Sequence, residues 1–340
     1  MTRRAFLGLV AALPLAGCAT SHRAAPRAGA TTAPSPALSV APSVAPSPPS
    51  VTAGAAAPVW GGPVPFTAGK ALLGSYLALD GMSYPQALAL RHKQLGRDAR
   101  IAHVFYEWAD TLPSSIPDAP DHAIPMVSWR GTAYAEITSG RSDKLIAAAA
   151  RNLRRFGRPV LLRWAWEMNG NWFDWCGARN GDDPAGYVTA WRRIHRIFQE
   201  QDATNVAWVW SPNWNSWPRT DWNVYASYYP GDKYVDWVGV SGYNLEGERP
   251  GTLYDPIYRA YAKRKPIILS EIGAVDHGGS TKADWIAEFS RYMRTRPKIG
   301  AVVWFDTDTH PGYAERWRID TDSASLAAFK AMGRTPRFSA

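Results

Sequence analysis

Most of the chain alternates short apolar runs with longer segments of mixed polarity. Between most of the runs, apolar residues recur at three- and four-residue steps, a spacing typical of amphipathic helices. The clearest of these predicted helices lie at residues 84–95, 142–156, 185–199 and 282–295. The apolar runs themselves predict eight strands, at residues 71–77, 100–106, 123–129, 159–164, 205–211, 235–240, 266–270 and 299–305.

The alternation of strands and helices predicts an α/β protein with a parallel sheet. Eight such units match the usual size of a closed (β/α)8 barrel, about 250 residues. An open doubly wound sheet would bind its ligand near a glycine-rich first turn. Residues 78–82 (ALDGM), which follow the first predicted strand, lack that pattern. We therefore predict a single (β/α)8 TIM barrel over residues 66–335, preceded by a signal peptide and a disordered linker.

Residues 1–18 have the pattern of an export signal. Arg3 and Arg4 precede a short apolar run that ends in small residues, as in secretory signals. The run is too short to span a bilayer, which takes about 20 apolar residues. The paired arginines resemble a twin-arginine signal, and residues 15–18 (LAGC) resemble a bacterial lipoprotein box. We therefore expect Cys18 to be lipidated and to anchor the exported chain on the outer face of the cytoplasmic membrane.

Residues 19–65 are rich in Pro, Ala and Ser and carry little charge. Such a segment cannot bury enough apolar surface to fold. Its prolines favour extended polyproline II, with a rise of about 3.1 Å per residue. We expect a disordered linker through which the anchored barrel reaches into the cell envelope.

The chemistry of a (β/α)8 barrel is located at the carboxyl ends of its strands. The residues predicted there are carboxylates, amides and indoles, with neither a Ser–His pair nor a set of ligands at metal-binding spacing. They lie at residues 106–108 (YEW), 128–130 (SWR), 163–172 (RWAWEMNGNW), 210–213 (WSPN), 242–244 (GYN), 267–273 (IILSEIG) and 304–306 (WFD). The sequence also lacks the HExxH and CxxC motifs. We therefore expect no metal and no cofactor.

Two glutamates stand out among these residues, because Glu167 and Glu271 each end a strongly apolar strand. As terminal residues of the fourth and seventh strands they would face each other across the barrel mouth. Two carboxylates in that arrangement suit glycoside hydrolysis, and a separation of about 5–5.5 Å would indicate a retaining mechanism. Indoles such as Trp166 and Trp172 would raise the pKa of the acid by excluding water. Hydrogen bonds from Tyr243 and Arg163 would keep the second carboxylate ionised.

The aromatic content supports a carbohydrate site. The chain contains 17 Trp, 15 Tyr and 10 Phe. Flat rings stack on the apolar C–H faces of sugars, while indole N–H and phenol O–H groups remain free to hydrogen-bond. The alternative is a core that is rich in tryptophan, with other aromatic residues scattered over the surface.

The net charge of +9 is spread along the predicted helices, and no motif of a nucleic-acid-binding fold is present. Nucleic-acid binding would require a basic cluster on one face. We interpret the charge as a solvated basic surface that suits an anionic envelope polymer. Two cysteines are too few for a disulfide framework. Since Cys18 is assigned to lipidation, Cys176 is expected to be a partly buried, inert thiol.

Several of these motifs, taken in order, resemble glycoside hydrolase family 26. They are residues 163–172, 205–213 (NVAWVWSPN), 235–239 (VDWVG), 242–244, 266–273 (PIILSEIG) and 303–306 (VWFD). The resemblance covers most of the chain from the first strand to the last helix. It implies a member of the large clan of retaining barrels whose catalytic glutamates lie on the fourth and seventh strands.

The resemblance also implies roles for individual residues. Glu167 matches the general acid/base, Glu271 the nucleophile and Tyr243 the residue that orients the nucleophile. Trp304 matches the ring beneath the sugar that is cleaved. The remaining residues expected to line the substrate are Trp172, Asn213, Trp108, Arg163, Trp166 and Trp129. For two of them a structural role is the alternative, since Asn213 could cap a helix and Trp108 could serve only in packing.

The resemblance leaves the substrate open. Members that cut mannan usually carry His immediately before the acid/base, and this chain has Trp166 there. The sequence of residues 167–172 is more similar to that of members that cut mixed-linkage β-glucan. We therefore expect an endo-acting β-glucanase, with β-1,4-mannan or 1,3-β-xylan as alternative substrates and remodelling by transglycosylation as an alternative activity. The non-enzymatic alternatives are a catalytically silent carbohydrate-binding barrel and a transport lipoprotein. We expect a monomer.

Overall fold

The computed structural model describes residues 60–110, 112–116, 118–308 and 316–339. Eight parallel strands form a closed barrel in the order β1 to β8, with β8 paired to β1. The predicted (β/α)8 barrel is therefore confirmed. The strands are β1 (Leu72–Ala78), β2 (Ile101–Tyr106), β3 (Ile124–Trp129), β4 (Val160–Trp164), β5 (Val206–Trp210), β6 (Trp237–Asn244), β7 (Ile267–Ala274) and β8 (Ile299–Thr307).

Seven α-helices are present among the described residues, and they include the four predicted ones. The helices are α1 (Tyr84–Leu95), α2 (Tyr134–Thr138), α3 (Asp143–Phe156), α4 (Pro184–Glu200), α5 (Pro250–Tyr261), α6 (Thr281–Arg294) and α7 (Ser323–Gly333). The β2–β3 connection contains no helix in its described part, so the outer ring departs there from the regular alternation.

Both faces of the barrel wall are buried. Inward-facing residues such as Ile101, Leu161 and Val303 fill the lower half of the interior. Outward-facing residues such as Trp164 and Trp208 pack against the helices. Parallel strands that are buried on both faces are expected to be almost uniformly apolar, which is why the sequence pattern located them.

Both ends of the described chain lie at the amino ends of the strands, which form the bottom of the barrel. Val64 is fully buried, and Trp237 at the start of β6 donates its indole N–H to the carbonyl of Gly61 at 3.0 Å. At the other end of the chain, Arg337 contacts the carbonyl of Ile299 at the start of β8. The folded unit therefore includes residues 60–65, which the sequence pattern assigned to the linker, and it extends past residue 335 to Phe338.

The predictions for the export signal, for lipidation at Cys18 and for the linker before residue 60 concern residues outside the described part. Within that part, no helix is both long and apolar enough to span a bilayer.

Candidate active site

Glu167 lies in the turn that follows β4 and has a left-handed backbone conformation, with φ of 54°. A non-glycine residue in this region costs about 1–2 kcal/mol. Two main-chain hydrogen bonds hold the conformation. The N–H of Glu167 donates to the carbonyl of Ser211 at 2.8 Å, and its own carbonyl accepts from the N–H of Gly170 at 2.9 Å. The turn thus fixes Glu167 at the carboxyl end of the barrel, with only 7% of the residue exposed.

The surroundings of the Glu167 carboxyl group raise its pKa to about 7. Burial is the largest cause, and the negative charge of Glu271 is the second. Arg163, Ser241 and Trp172 act in the opposite direction. The indole N–H of Trp172 donates to Oε2 of Glu167 at 2.9 Å. We expected Trp172 to raise this pKa by excluding water, but its hydrogen bond stabilises the charged form and lowers the pKa.

Glu271 on β7 is held by two donors. The hydroxyl of Tyr243 donates to Oε1 at 2.5 Å, and Nη1 of Arg163 donates to Oε2 at 2.5 Å. Both contacts agree with those expected from the sequence. Burial and the two nearby glutamates raise the pKa of Tyr243 well above 10, so its hydroxyl keeps its proton and remains a donor. Arg163 and Tyr243 thus fix both oxygens of the Glu271 carboxyl group.

Arg163 is fully buried inside the barrel and is held by serines from three strands. Its guanidinium donates to Oγ of Ser211 on the β5 end at 3.1 Å, of Ser128 on β3 at 3.3 Å and of Ser241 on β6 at 2.5 Å. These serines were not predicted as site residues from the sequence. The usable signal is their position in the strands, because Ser128 and Ser241 stand two residues before Arg130 and Tyr243 and therefore share their face of the wall.

A shift in strand pairing places Glu271 inside the barrel. Val240 pairs with Leu269, whereas Ser241 pairs with Glu271, so Ser270 is an extra residue in β7. Such a bulge reverses the direction of the side chains that follow it. Glu271 is thereby placed beside Ser241, on the same face as Arg163 and Tyr243.

Trp166 forms part of the packing beneath the mouth. It is 3% exposed, and its ring packs against Phe105 and Trp175. The guanidinium carbon of Arg163 lies 5.2 Å from the ring centroid. Trp166 is therefore a support for the charged residues, with little surface left for a substrate.

Two residues that we expected to line the substrate lie on the outer side of the barrel wall. Trp304 is fully buried, and it packs against Trp285 on α6 and Phe329 on α7, outside the barrel wall. Trp129 is also fully buried, and it lies near Phe198 on α4. Both predictions are wrong because these indoles point away from the barrel interior.

Two other predicted residues take structural positions. Trp108 stacks on Trp129 with ring centroids 4.5 Å apart, so it belongs to the outer aromatic cluster. Asn213 uses its side-chain oxygen to accept the N–H of Asn215 at 3.0 Å, which shapes the turn after β5. On the inner side of β8, Phe305 stacks on Tyr76, and Trp317 packs 4.8 Å from Tyr243. Neither of these inner rings was predicted from the sequence to line the site.

The geometry therefore combines a buried Glu167 whose pKa is raised to about 7 with a Glu271 that accepts hydrogen bonds from Arg163 and Tyr243. Two carboxyl groups in such different surroundings can divide the roles of proton donor and nucleophile. The described residues contain no group of three or more His, Cys, Asp or Glu side chains that could hold a metal ion.

Residues 123–331 match the sequence profile of glycosyl hydrolase family 26. Over 253 residues the chain is 31% identical to Endoglucanase H of Acetivibrio thermocellus, and the match covers 69% of this chain and 27% of that protein. Over 218 residues it is 34% identical to the mannan endo-1,4-beta-mannosidase A and B of Caldalkalibacillus mannanilyticus, and this match covers 59% of this chain and 39% of that protein. The chain thus spans well under half the length of both curated relatives.

Among solved structures, the chain is similar to the catalytic domain of an endo-beta-1,4-mannanase from Bacillus sp. JAMB-750. The TM-score is 0.60 at 15% identity, and the match covers 80% of this chain and 87% of that one. At this identity the likeness concerns the fold.

Proposed function

Because the chain belongs to glycosyl hydrolase family 26, we propose that it is an endo-acting glycosidase that cuts an extracellular or cell-envelope β-glycan with retention of configuration. The observation that carries the proposal is the pairing of Glu271 with Arg163 and Tyr243, beside a Glu167 whose pKa is raised to about 7. Each carboxyl group thus has surroundings that suit one of the two catalytic roles.

The proposed reaction has two steps. In the first, the Glu271 carboxylate attacks the anomeric carbon while Glu167 gives its proton to the departing glycosidic oxygen. The bond to the leaving group breaks, and an ester between the sugar and Glu271 forms. In the second, Glu167 takes a proton from water, and the water oxygen attacks the anomeric carbon and releases Glu271.

The coupling between the two glutamates supports the change of role that Glu167 must make. The charge of Glu271 is the second-largest cause of the raised pKa of Glu167. When Glu271 is esterified, that charge is lost, and the pKa of Glu167 falls. Glu167 therefore acts as an acid before the ester forms and as a base afterwards.

For the substrate we propose a mixed-linkage 1,3-1,4-β-glucan. The support is the similarity to a protein named Endoglucanase H, together with Trp166 at the position before the acid/base. The alternative is β-1,4-mannan, which the similarity to a mannan endo-1,4-beta-mannosidase favours. A third candidate is 1,3-β-xylan, which the similarity to a protein named Beta-1,3-xylanase TXYA favours.

The test is reducing-sugar release by the protein from residue 60 onward against mixed-linkage β-glucan, glucomannan, galactomannan and 1,3-β-xylan. We expect release from β-glucan and none from the Glu167→Gln variant. Release from galactomannan alone would transfer the assignment to mannan. Silence on all four polymers, with a folded protein, would contradict the proposed activity and favour a carbohydrate-binding barrel.

The pH profile of kcat/KM is expected to fall above about pH 7, because Glu167 must be protonated to act as acid and its pKa is raised to about 7. Ser241 lowers this pKa. Ser241 accepts a hydrogen bond from Arg163, so the hydroxyl proton of Ser241 remains available to Glu167. We therefore expect Ser241→Ala to move the alkaline limb upward by about 0.7 pH unit, the equivalent of one hydrogen bond of about 1 kcal/mol.

Ser128→Ala is the matched control for this shift. Ser128 also contacts Arg163 but is not among the largest causes of the pKa shift of Glu167. Its variant should keep the alkaline limb at the wild-type pH, even if the rate is lower. An equal shift in both variants would show that Ser241 acts only through Arg163.

We also propose that the chain is exported and anchored by a lipid on Cys18, on the basis of residues 1–18. The full-length protein should sediment with membranes when it is expressed in a bacterium with a lipoprotein pathway. Cys18→Ser should release it into the soluble fraction, and membrane retention of that variant would rule out the anchor.

A further inference from the structure

One tryptophan of the described chain remains largely in water. Trp217, in the connection after β5, is 51% exposed, and the other exposed large apolar residues among those described are Met82 and Val224. An indole offers a large apolar area, so leaving half of it in solvent forgoes a stabilising burial. The exposed indole offers a flat apolar face of the kind on which the C–H face of a sugar stacks.

The main chain of Trp217 is held by a fully buried asparagine. The carbonyl of Asn169 accepts the N–H of Trp217 at 2.8 Å, and the side-chain nitrogen of Asn169 donates to the hydroxyl of Ser216 at 3.0 Å. A second buried asparagine, Asn223, donates to the carbonyls of both Asn169 and Pro218 at 2.9 Å. The exposed ring is therefore carried by a fixed main chain, and a fixed contact surface lowers the entropy cost of binding.

This attachment places Trp217 on the Glu167 side of the mouth. Asn169 is two residues after Glu167 in the same turn. The ring of Trp172 covers the neighbouring Gly170, where a Cβ atom would lie 2.5 Å from the indole, and the same indole bonds to Glu167. The acid is the group that protonates the departing oxygen, so its side of the mouth receives the part of the glycan that leaves first.

We propose that Trp217 is a stacking platform for a pyranose ring of the departing part of the β-glycan. The inference rests on the proposed glycosidase function and adds a binding site on its leaving-group side. The ligand contact is between the C–H face of a sugar and the indole ring. The same platform would position an acceptor sugar that takes the place of water in the second step.

The test compares two substrates that differ in the leaving group. One is the polysaccharide that the wild-type protein cuts, and the other is the β-glycosyl fluoride of the matching oligosaccharide, whose leaving group does not reach Trp217. We expect Trp217→Ala to lower kcat/KM on the polysaccharide by about tenfold, a magnitude typical of one aromatic contact. Hydrolysis of the fluoride should stay within twofold of the wild type. Transfer of the glycosyl group to an added oligosaccharide acceptor should fall in parallel with the polysaccharide activity.

Two further variants act as controls. Trp217→Phe retains a ring and should recover part of the lost activity. Val224→Ala removes an exposed apolar side chain from the same connection, where Val224 is 46% exposed, and should leave both substrates unaffected.

Unchanged polysaccharide activity in Trp217→Ala would overturn the platform and leave the glycosidase proposal intact. An equal loss on both substrates would also overturn it, because a general effect on the turn then accounts for the result. If the wild-type protein hydrolyses neither substrate, the proposed function itself fails, and the platform fails with it.

Discussion

Replacing Glu271 with alanine is expected to lower turnover of the polysaccharide by at least about 10³-fold, since the variant lacks the nucleophile of the first step. Added azide should restore part of the activity. The truncated side chain leaves space for a small anion. In the native protein the guanidinium of Arg163 contacts Glu271 at 2.5 Å, and in the variant it can bind azide in place of the missing carboxylate. Azide bound there attacks the anomeric carbon from the side of the nucleophile and yields a glycosyl azide of inverted configuration.

The product should be identified by NMR with an activated aryl glycoside as substrate. Glu271→Gln is the matched control, because its amide fills the space and should prevent rescue. Glu271→Ala carries a second signature on the polysaccharide, whose leaving group needs a proton from Glu167. Loss of the Glu271 charge lowers the pKa of Glu167, so the azide-dependent rate on the polysaccharide should decline at a lower pH than the wild-type rate. A Glu271→Ala variant with wild-type turnover would exclude the assigned role.

Glu167→Gln is expected to affect substrates according to their leaving groups. The polysaccharide has a poor leaving group that must be protonated, so its kcat should fall by about 10²–10⁴-fold. A dinitrophenyl glycoside departs without protonation, so the ester on Glu271 should still form quickly and then accumulate for lack of a base. Azide needs no base and should release this ester as a glycosyl azide of retained configuration.

Glu107→Gln gives a matched control for that experiment. Glu107 also stands near the mouth, just beyond the end of β2, but it pairs with Arg130 at 3.1 Å and contacts neither Glu167 nor Glu271 in the described hydrogen bonds. This variant should react to azide as the wild type does. An equal loss on both substrates in Glu167→Gln, without accumulation of an ester, would assign Glu167 a role other than acid/base.

The fold could be predicted because its determinants are local. Most strands are short runs that are buried on both faces, and α3 and α4 carry apolar positions at helical spacing, such as Ile146, Ala149, Ala150 and Leu153 on α3. The two glutamates could be predicted because strand ends in a barrel converge on one mouth. Neither inference requires knowledge of which face of a strand a given residue occupies.

The errors concern that choice of face. Trp304 and Trp129 belong to strands that are buried on both faces, so the apolar character of an indole does not reveal its direction. In β7 simple alternation from Ile268 would have turned Glu271 outward, and only the extra residue Ser270 turns it inward. A bulge depends on the pairing between two strands, which a single sequence does not specify.

The serines around Arg163 were missed for a different reason. Ser128, Ser211 and Ser241 are small, common residues that lie on three strands far apart in sequence. Their importance arises only when the barrel closes around a buried cation, whose hydrogen-bonding groups must all be satisfied. The charged residues of the site could be predicted from the sequence. The serines that hold Arg163 in place could be recognised only in the three-dimensional structure.

The location of both chain ends at the bottom of the barrel has a practical consequence for handling the enzyme. Gly61 and Arg337 contact residues at the starts of β6 and β8, whereas Glu167 lies at the opposite end of the strands. An affinity tag or a resin linkage added before residue 60 or after residue 339 therefore attaches to the face away from the mouth. Protein immobilised by either end should keep its cleft open toward the solution, so that long, insoluble polymers still have access.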